Sequence, residues 1–78
     1  MRNKKTELTK KFGWKIRIER TKRNMSQEEL AELANLSIIT ISAIERGATT
    51  PSIETANDLA NALGIRLPDL IDVEKIEF

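Results

Sequence analysis

Cysteine and histidine are both absent from this chain of 78 residues. Their absence removes a disulfide framework, a Cys/His zinc site and any catalysis that needs a thiol or an imidazole. A reducing cytoplasm therefore imposes no penalty on the chain. No apolar run approaches the ~20 residues of a membrane span, and the polar, basic N-terminus adjoins no signal-peptide core. The expectation is a cytoplasmic protein with no membrane partner. A Gly-rich phosphate loop is also lacking, and the acidic residues fall at helix-surface spacing without a paired pocket. Nothing in the pattern supports an enzyme, a metal or another cofactor. The length leaves no room for a separate ligand-binding domain, so no small-molecule ligand is expected.

What is present fits one small domain, with no repeats and no low-complexity tract. A chain of this size buries only about two-thirds of its unfolded surface, so its stability is modest unless it oligomerises. The net charge of +1 hides a division along the chain. Up to Asn24 there are 10 Lys and Arg against 2 Glu, or +8; from Met25 onward there are 3 against 10 acidic residues, or −7. A basic face can neutralise phosphates and release counterions, while an acidic far side limits nonspecific adhesion. Taken alone, the basic run reads equally well as a solvated helix.

The hydrophobic periodicity outlines a series of helices. A basic arm, residues 1–7, shows no pattern and is expected to be flexible. A first helix is predicted from about Leu8 to Arg23, with Leu8, Phe12 and Ile16 as its buried line. Trp14 and Ile18 form a second i, i+4 pair, either the edge of the core or an exposed contact patch. Ser26-Gln27-Glu28-Glu29 is a Ser-x-x-Glu capping box that starts a second helix, with Leu30, Leu33 and Ala34 as its apolar stripe. Asn35 suits a left-handed reversal, and Ser37 can cap a third helix beginning at about Ile38. Ile41 and Ile44 form that helix's inner face, and Gly47 supplies its end. Ser52 caps a fourth helix whose inner face is Ile53, Ala56, Leu59, Ala60 and Leu63, closed by Gly64. Pro68 fits the first position of a short last helix through about Ile71. In the tail, residues 73–78, Ile76 and Phe78 alternate with Glu77 as a short edge strand would.

Two short helices joined by a tight polar turn, Ser26 to Gly47, form the layout of a helix-turn-helix, whose second helix enters a DNA groove. Beside such a unit, the nucleic-acid reading of the basic segment becomes the stronger one. The outward positions of the third helix are Ser37, Ile38, Ile39, Ser42, Ala43 and Arg46. Arg46, with Lys10, Lys11 and Arg17 from the first helix, can contact phosphates and so set register without reading sequence.

These residues resemble the Xre family of bacterial and phage repressors. That family includes the lambdoid phage repressors and Cro proteins and the controller proteins of restriction-modification systems. The resemblance rests on Ser26-Gln27-Glu28-Glu29-Leu30-Ala31 through Leu36-Ser37, then Thr40-Ile41-Ser42 and Ile44-Glu45-Arg46-Gly47. It extends upstream to Phe12-Gly13, Ile16 and Arg20, and downstream to Pro51-Ser52 and Leu59-Ala60-Asn61-Ala62-Leu63-Gly64, so it covers Phe12 to Leu70. It implies an all-α, compact, five-helix, lambda-repressor-like domain over residues 8–72. The implied function is a sequence-specific regulator of transcription on double-stranded DNA, acting as a repressor or autoregulator.

The resemblance also assigns roles. Ser37, Ile38, Ile39, Thr40, Ser42 and Ala43 would meet DNA in the major groove. Gln27 would bond phosphate and brace the reading helix, its amide being able to donate and accept. Arg20 and Glu45 would form a structural ion pair. Relatives dimerise on half-sites about one helical turn, ~34 Å, apart. Leu67, Leu70, Ile71, Val73, Ile76 and Phe78 are the candidates for a homodimer contact, unless they finish the core instead. The chain departs from the family at Ile38 and Ala43, where relatives often carry Arg, Gln or Lys. Apolar side chains there can meet thymine methyls, which points to an AT-rich site with strong shape dependence. The same isoleucines support a rival reading, an antitoxin-like module that docks on protein.

Overall fold

The computed structural model describes residues 4–73, with side chains from residue 7 onward. Five helices follow in order: α1 (Lys4–Lys22), α2 (Gln27–Ala34), α3 (Ile38–Glu45), α4 (Ile53–Leu63) and α5 (Leu67–Ile71). No strand occurs among the described residues. The expected strand of Ile76 and Phe78 lies outside the described residues, as does the start of the expected arm.

The helix boundaries are set by local chemistry. Ser26, Ser37 and Ser52 each cap a helix by accepting a hydrogen bond from the backbone N–H three residues on. At Ser26 the box is reciprocal, because the Glu29 carboxylate accepts from the Ser26 N–H at 2.9 Å. Asn35 ends α2 and Gly64 ends α4 in the left-handed conformation, with φ of 56° and 70°. Asn24 after α1, with φ 54°, and Gly47 after α3, with φ 69°, do the same, so four of the chain reversals use residues that tolerate positive φ.

Six side chains are fully buried: Ile16, Leu30, Ile41, Ile44, Leu59 and Leu70. Burial of each contributes about 1.5–3 kcal/mol relative to exposure. They come from all five helices, so no helix holds its position alone. α1 runs across α3, α4 and α5, while α2 packs on α3 and α4.

Several expectations are corrected by this packing. α1 begins at Lys4, four residues earlier than Leu8, so most of the expected arm is helical. Of the expected line only Ile16 is fully buried, Phe12 is half-buried against the core and Leu8 is exposed, because each i+4 step advances about 40° beyond a full turn and carries Leu8 off the inner face. Leu33 is exposed as well. The buried stripe of α2 is Leu30, Ala31 and Ala34, since the two alanines let α2 approach its neighbours and turn Leu33 outward. Ile53, in the first turn of α4, projects past the end of the core and is exposed.

The expected dimer contacts change for the same reason. Leu70 and Val73 are buried within the chain's own core, and Leu67 is half-buried against it. Leu70 and Val73 thus finish the core, the alternative open for them, while Leu67 keeps part of its surface and Ile71 is exposed. Ile76 and Phe78 lie outside the described residues.

Candidate nucleic-acid interface

The turn between α2 and α3 is fixed from both sides. The Leu36 N–H donates to the Ala31 carbonyl at 2.8 Å and Asn35 N–H to Glu32 at 3.2 Å. Leu36 packs against the core. With Ile41 and Ile44 buried, α3 can present only its other side. Ser37, Ile38, Ile39 and Arg46 are exposed there, and Thr40, Ser42 and Ala43 are half-buried.

One carboxylate ties α3 to the rest. The Glu45 side chain, 4% exposed, accepts from Arg20 Nε at 2.6 Å and from Arg20 Nη2 at 3.0 Å. It also accepts from Gln27 Nε2 at 3.0 Å. Arg20 completes its set by donating Nη1–H to the Met25 carbonyl at 2.7 Å. Three helices and the α1–α2 turn therefore meet at one charge. The bonds to Glu45 raise the Arg20 pKa above its already high value, outweighing partial burial, so the guanidinium stays charged at every relevant pH. Gln27 braces α3 through one amide N–H of the first turn of α2, which leaves its carbonyl oxygen and second N–H with no bond in this network.

The close approach of α1 to α3 depends on Gly13. A Cβ at that position would overlap the Ile44 carbonyl oxygen and lie 3.0 Å from that of Glu45. Sequence reasoning placed Gly13 in the family pattern without assigning it a role. A glycine inside an otherwise strong helix was the available signal, since it costs helix stability unless a neighbour needs the space.

Arg17 lies on α1 between Gly13 and Arg20, at i+4 from one and i−3 from the other, and so flanks the same end of α3. It is exposed, and its guanidinium carbon sits 5.7 Å from the centre of the Trp14 ring. Lys10, also exposed, lies against Gly47 immediately after α3. Arg46 caps α3 and its Nε–H donates to the Ser42 hydroxyl at 3.3 Å. Lys10 and Arg46 thus lie at the end of α3, where the negative end of the helix dipole favours cations, while the Arg17 guanidinium sits over Trp14 on the adjoining stretch of α1. Lys11 is not brought there: two residues before Gly13, it is turned about 160° away on α1. Lys22 and Arg23 are also elsewhere, paired with Glu19 at 3.5 and 2.8 Å. Burial raises the Glu19 pKa, but the hydrogen bonds and charges of Arg23 and Lys22 together prevail and lower it.

A separate apolar feature lies away from α3. Leu8 and Phe12 of α1, Pro51, Ile53 and Ala56 at the start of α4, and Ile71 with Val73 line an open groove of about 390 Å³. Leu8, Ile53 and Ile71 are exposed around it. The sequence reading missed this grouping because the three residues are far apart in the chain. No helix among the described residues is long and apolar enough to cross a membrane.

Comparison with known proteins agrees with this geometry. A helix-turn-helix family model matches residues 16–70. The control protein C.BamHI of Bacillus amyloliquefaciens is 42% identical over 66 residues, covering 83% of this chain and 82% of that protein. The immunity repressor protein of Bacillus phage phi105 is 38% identical over 64 residues, 82% of this chain, which spans 44% of the repressor's length. The crystal structure of the restriction-modification controller protein C.AhdI from Aeromonas hydrophila superposes with a TM-score of 0.77. It is 38% identical and covers 82% of this chain and 96% of that one.

Proposed function

This chain belongs to the Xre family of helix-turn-helix transcriptional regulators, and we propose that it grips an operator as a homodimer, with α3 of each copy in the major groove. The observation that carries this reading is the Glu45 hub, which fixes α3 to α1 and α2 while leaving its outer side open.

On this reading Ser37, Ile38, Ile39, Thr40, Ser42 and Ala43 face base edges. Lys10, Arg17, Arg46 and the free half of the Gln27 amide hold phosphates beside the C-terminal end of α3 and set the register. Their exposure, and their placement around α3, support these roles. The acidic charge of the remaining chain limits adhesion to arbitrary DNA. The product of such binding in the cytoplasm is repression by occupancy, with the regulator's own concentration as the control.

A single copy reads too few bases, so a second copy is required for useful specificity. The surface supporting dimerisation is the groove edged by Leu8, Ile53 and Ile71, an exposed apolar cluster away from α3.

The test is affinity for a selected duplex as a function of salt. Neutralising about six phosphates per dimer gives a log–log slope near −5. A slope near zero, with tight salt-insensitive capture of a protein partner through Ile38 and Ile39, would instead favour the antitoxin-like module. The exposure of those two isoleucines is what keeps that second reading in play.

A further inference from the structure

The polar side chains on the outer side of α3 are largely occupied within the helix. Ser37 Oγ accepts from the Thr40 N–H at 3.1 Å and lies 2.9 Å from the Thr40 hydroxyl. Ser42 Oγ accepts from Arg46 Nε at 3.3 Å. A hydroxyl can also bond donors and acceptors alike, so it separates one base from another poorly. Two large side chains exposed on this side are aliphatic: Ile39 is 75% exposed and Ile38 44%. Neither group best suited to a bidentate bond with guanine or adenine is held beside them: the Gln27 amide is drawn back to Glu45 and Arg46 lies at the far end of α3.

From this surface we infer that the group recognised in the major groove is the C5-methyl of a pyrimidine, whichever base carries it. Thymine and 5-methylcytosine place that methyl at the same point on the groove wall. They differ in the neighbouring O4 acceptor or N4 donor, which an isoleucine cannot bond. Ile38 and Ile39 therefore act as specificity-determining residues that read a methyl group and not a hydrogen-bond pattern. The inference rests on the major-groove placement proposed above.

The test compares matched duplexes. A site is first selected by the purified protein from a random duplex pool, and each thymine is then replaced singly by uracil, cytosine or 5-methylcytosine. Burying one methyl group against isoleucine corresponds to about a fourfold change in affinity. The expected result is a loss of about fourfold from thymine to uracil at the contacted positions, and a gain of similar size from cytosine to 5-methylcytosine at the same positions. In I39A, a surface change that leaves the core intact, one of these methyl effects disappears in both base contexts while the others remain. Tight, selective binding that is indifferent to uracil at every position overturns the inference and leaves the regulator reading intact. Failure of the pool to yield any enriched sequence overturns both.

Discussion

Gly13 in α1 meets the carbonyl oxygen of Ile44 in α3 at a separation that no side chain at position 13 can share. The two backbones touch there because the residue has no Cβ, and the reading helix is seated by that contact as much as by its ion pair. G13A gains up to about 1 kcal/mol of helix propensity. It must also push α3 away, and overpacking of this kind costs about 1–3 kcal/mol. The expected outcome is a lower Tm and weaker DNA binding, read by thermal melting and by duplex titration. An alanine variant more stable than the parent would show that α3 is free to shift.

Removing one partner of the Arg20–Glu45 pair strands the other in a site where the two side chains are 12% and 4% exposed. E45A is therefore expected to lose about 3 kcal/mol in denaturant unfolding. R20M combined with E45L replaces the pair by apolar contacts and should regain most of that loss. DNA affinity should not recover with it, since Gln27 still lacks its acceptor and α3 its brace. Full recovery of binding in the double variant would mean that the hub serves stability alone.

Acid should weaken the fold in a defined window. The Glu29 pKa lies below its ordinary value of 4.5 because the Ser26 backbone N–H and hydroxyl bond the ionised carboxylate. The stabilisation is present above the unfolded value and is lost as pH falls through the lowered folded one. Glu19 behaves likewise through Arg23 and Lys22. Tm should be flat from neutral pH down to about 5 and fall below about 4.5. E29Q keeps a neutral box, so its Tm should lie below the parent's at neutral pH and converge on it in acid. A constant gap between the two at all pH values would rule out the ionised cap as the cause.

The proposed dimer face separates from the core by exposure. I71D places charge on an open surface and should give a folded monomer by light scattering at micromolar concentration, where the parent is expected at twice the chain mass. L70D buries a charge in the core cluster to which Leu70 belongs and should unfold the chain. An I71D variant that stays dimeric would move the interface away from the groove.

Most of the local structure was legible in the sequence, because the signals act within a few residues. Ser26 with Glu29, Asn35, Ser37, Ser52 and Gly64 each mark a helix end by their own chemistry, and each is found in that role. The pairing of Arg20 with Glu45 was legible only through family resemblance, as 25 residues separate them. What could not be read was decided by packing. Leu8, Leu33 and Ile53 match their helices' periodicity yet face outward, since the burial direction depends on where small residues such as Ala31 and Ala34 let neighbours come close. Gly13 belongs to the same class. Its importance lies in a carbonyl on another helix, which no sequence window contains.

The outer side of α3, bordered at its C-terminal end by Lys10, Arg46 and Gln27 and by Arg17 of α1, is the surface proposed to face DNA. Amide chemical-shift mapping of the labelled protein, titrated with its selected duplex, tests it most directly. The largest shifts are expected from Ser37 to Ala43 and at Gln27, Arg17 and Gly47, with Ile53 and Ile71 unchanged beyond what dimerisation explains. Shifts confined to the Leu8, Ile53 and Ile71 groove, with α3 silent, would contradict the account.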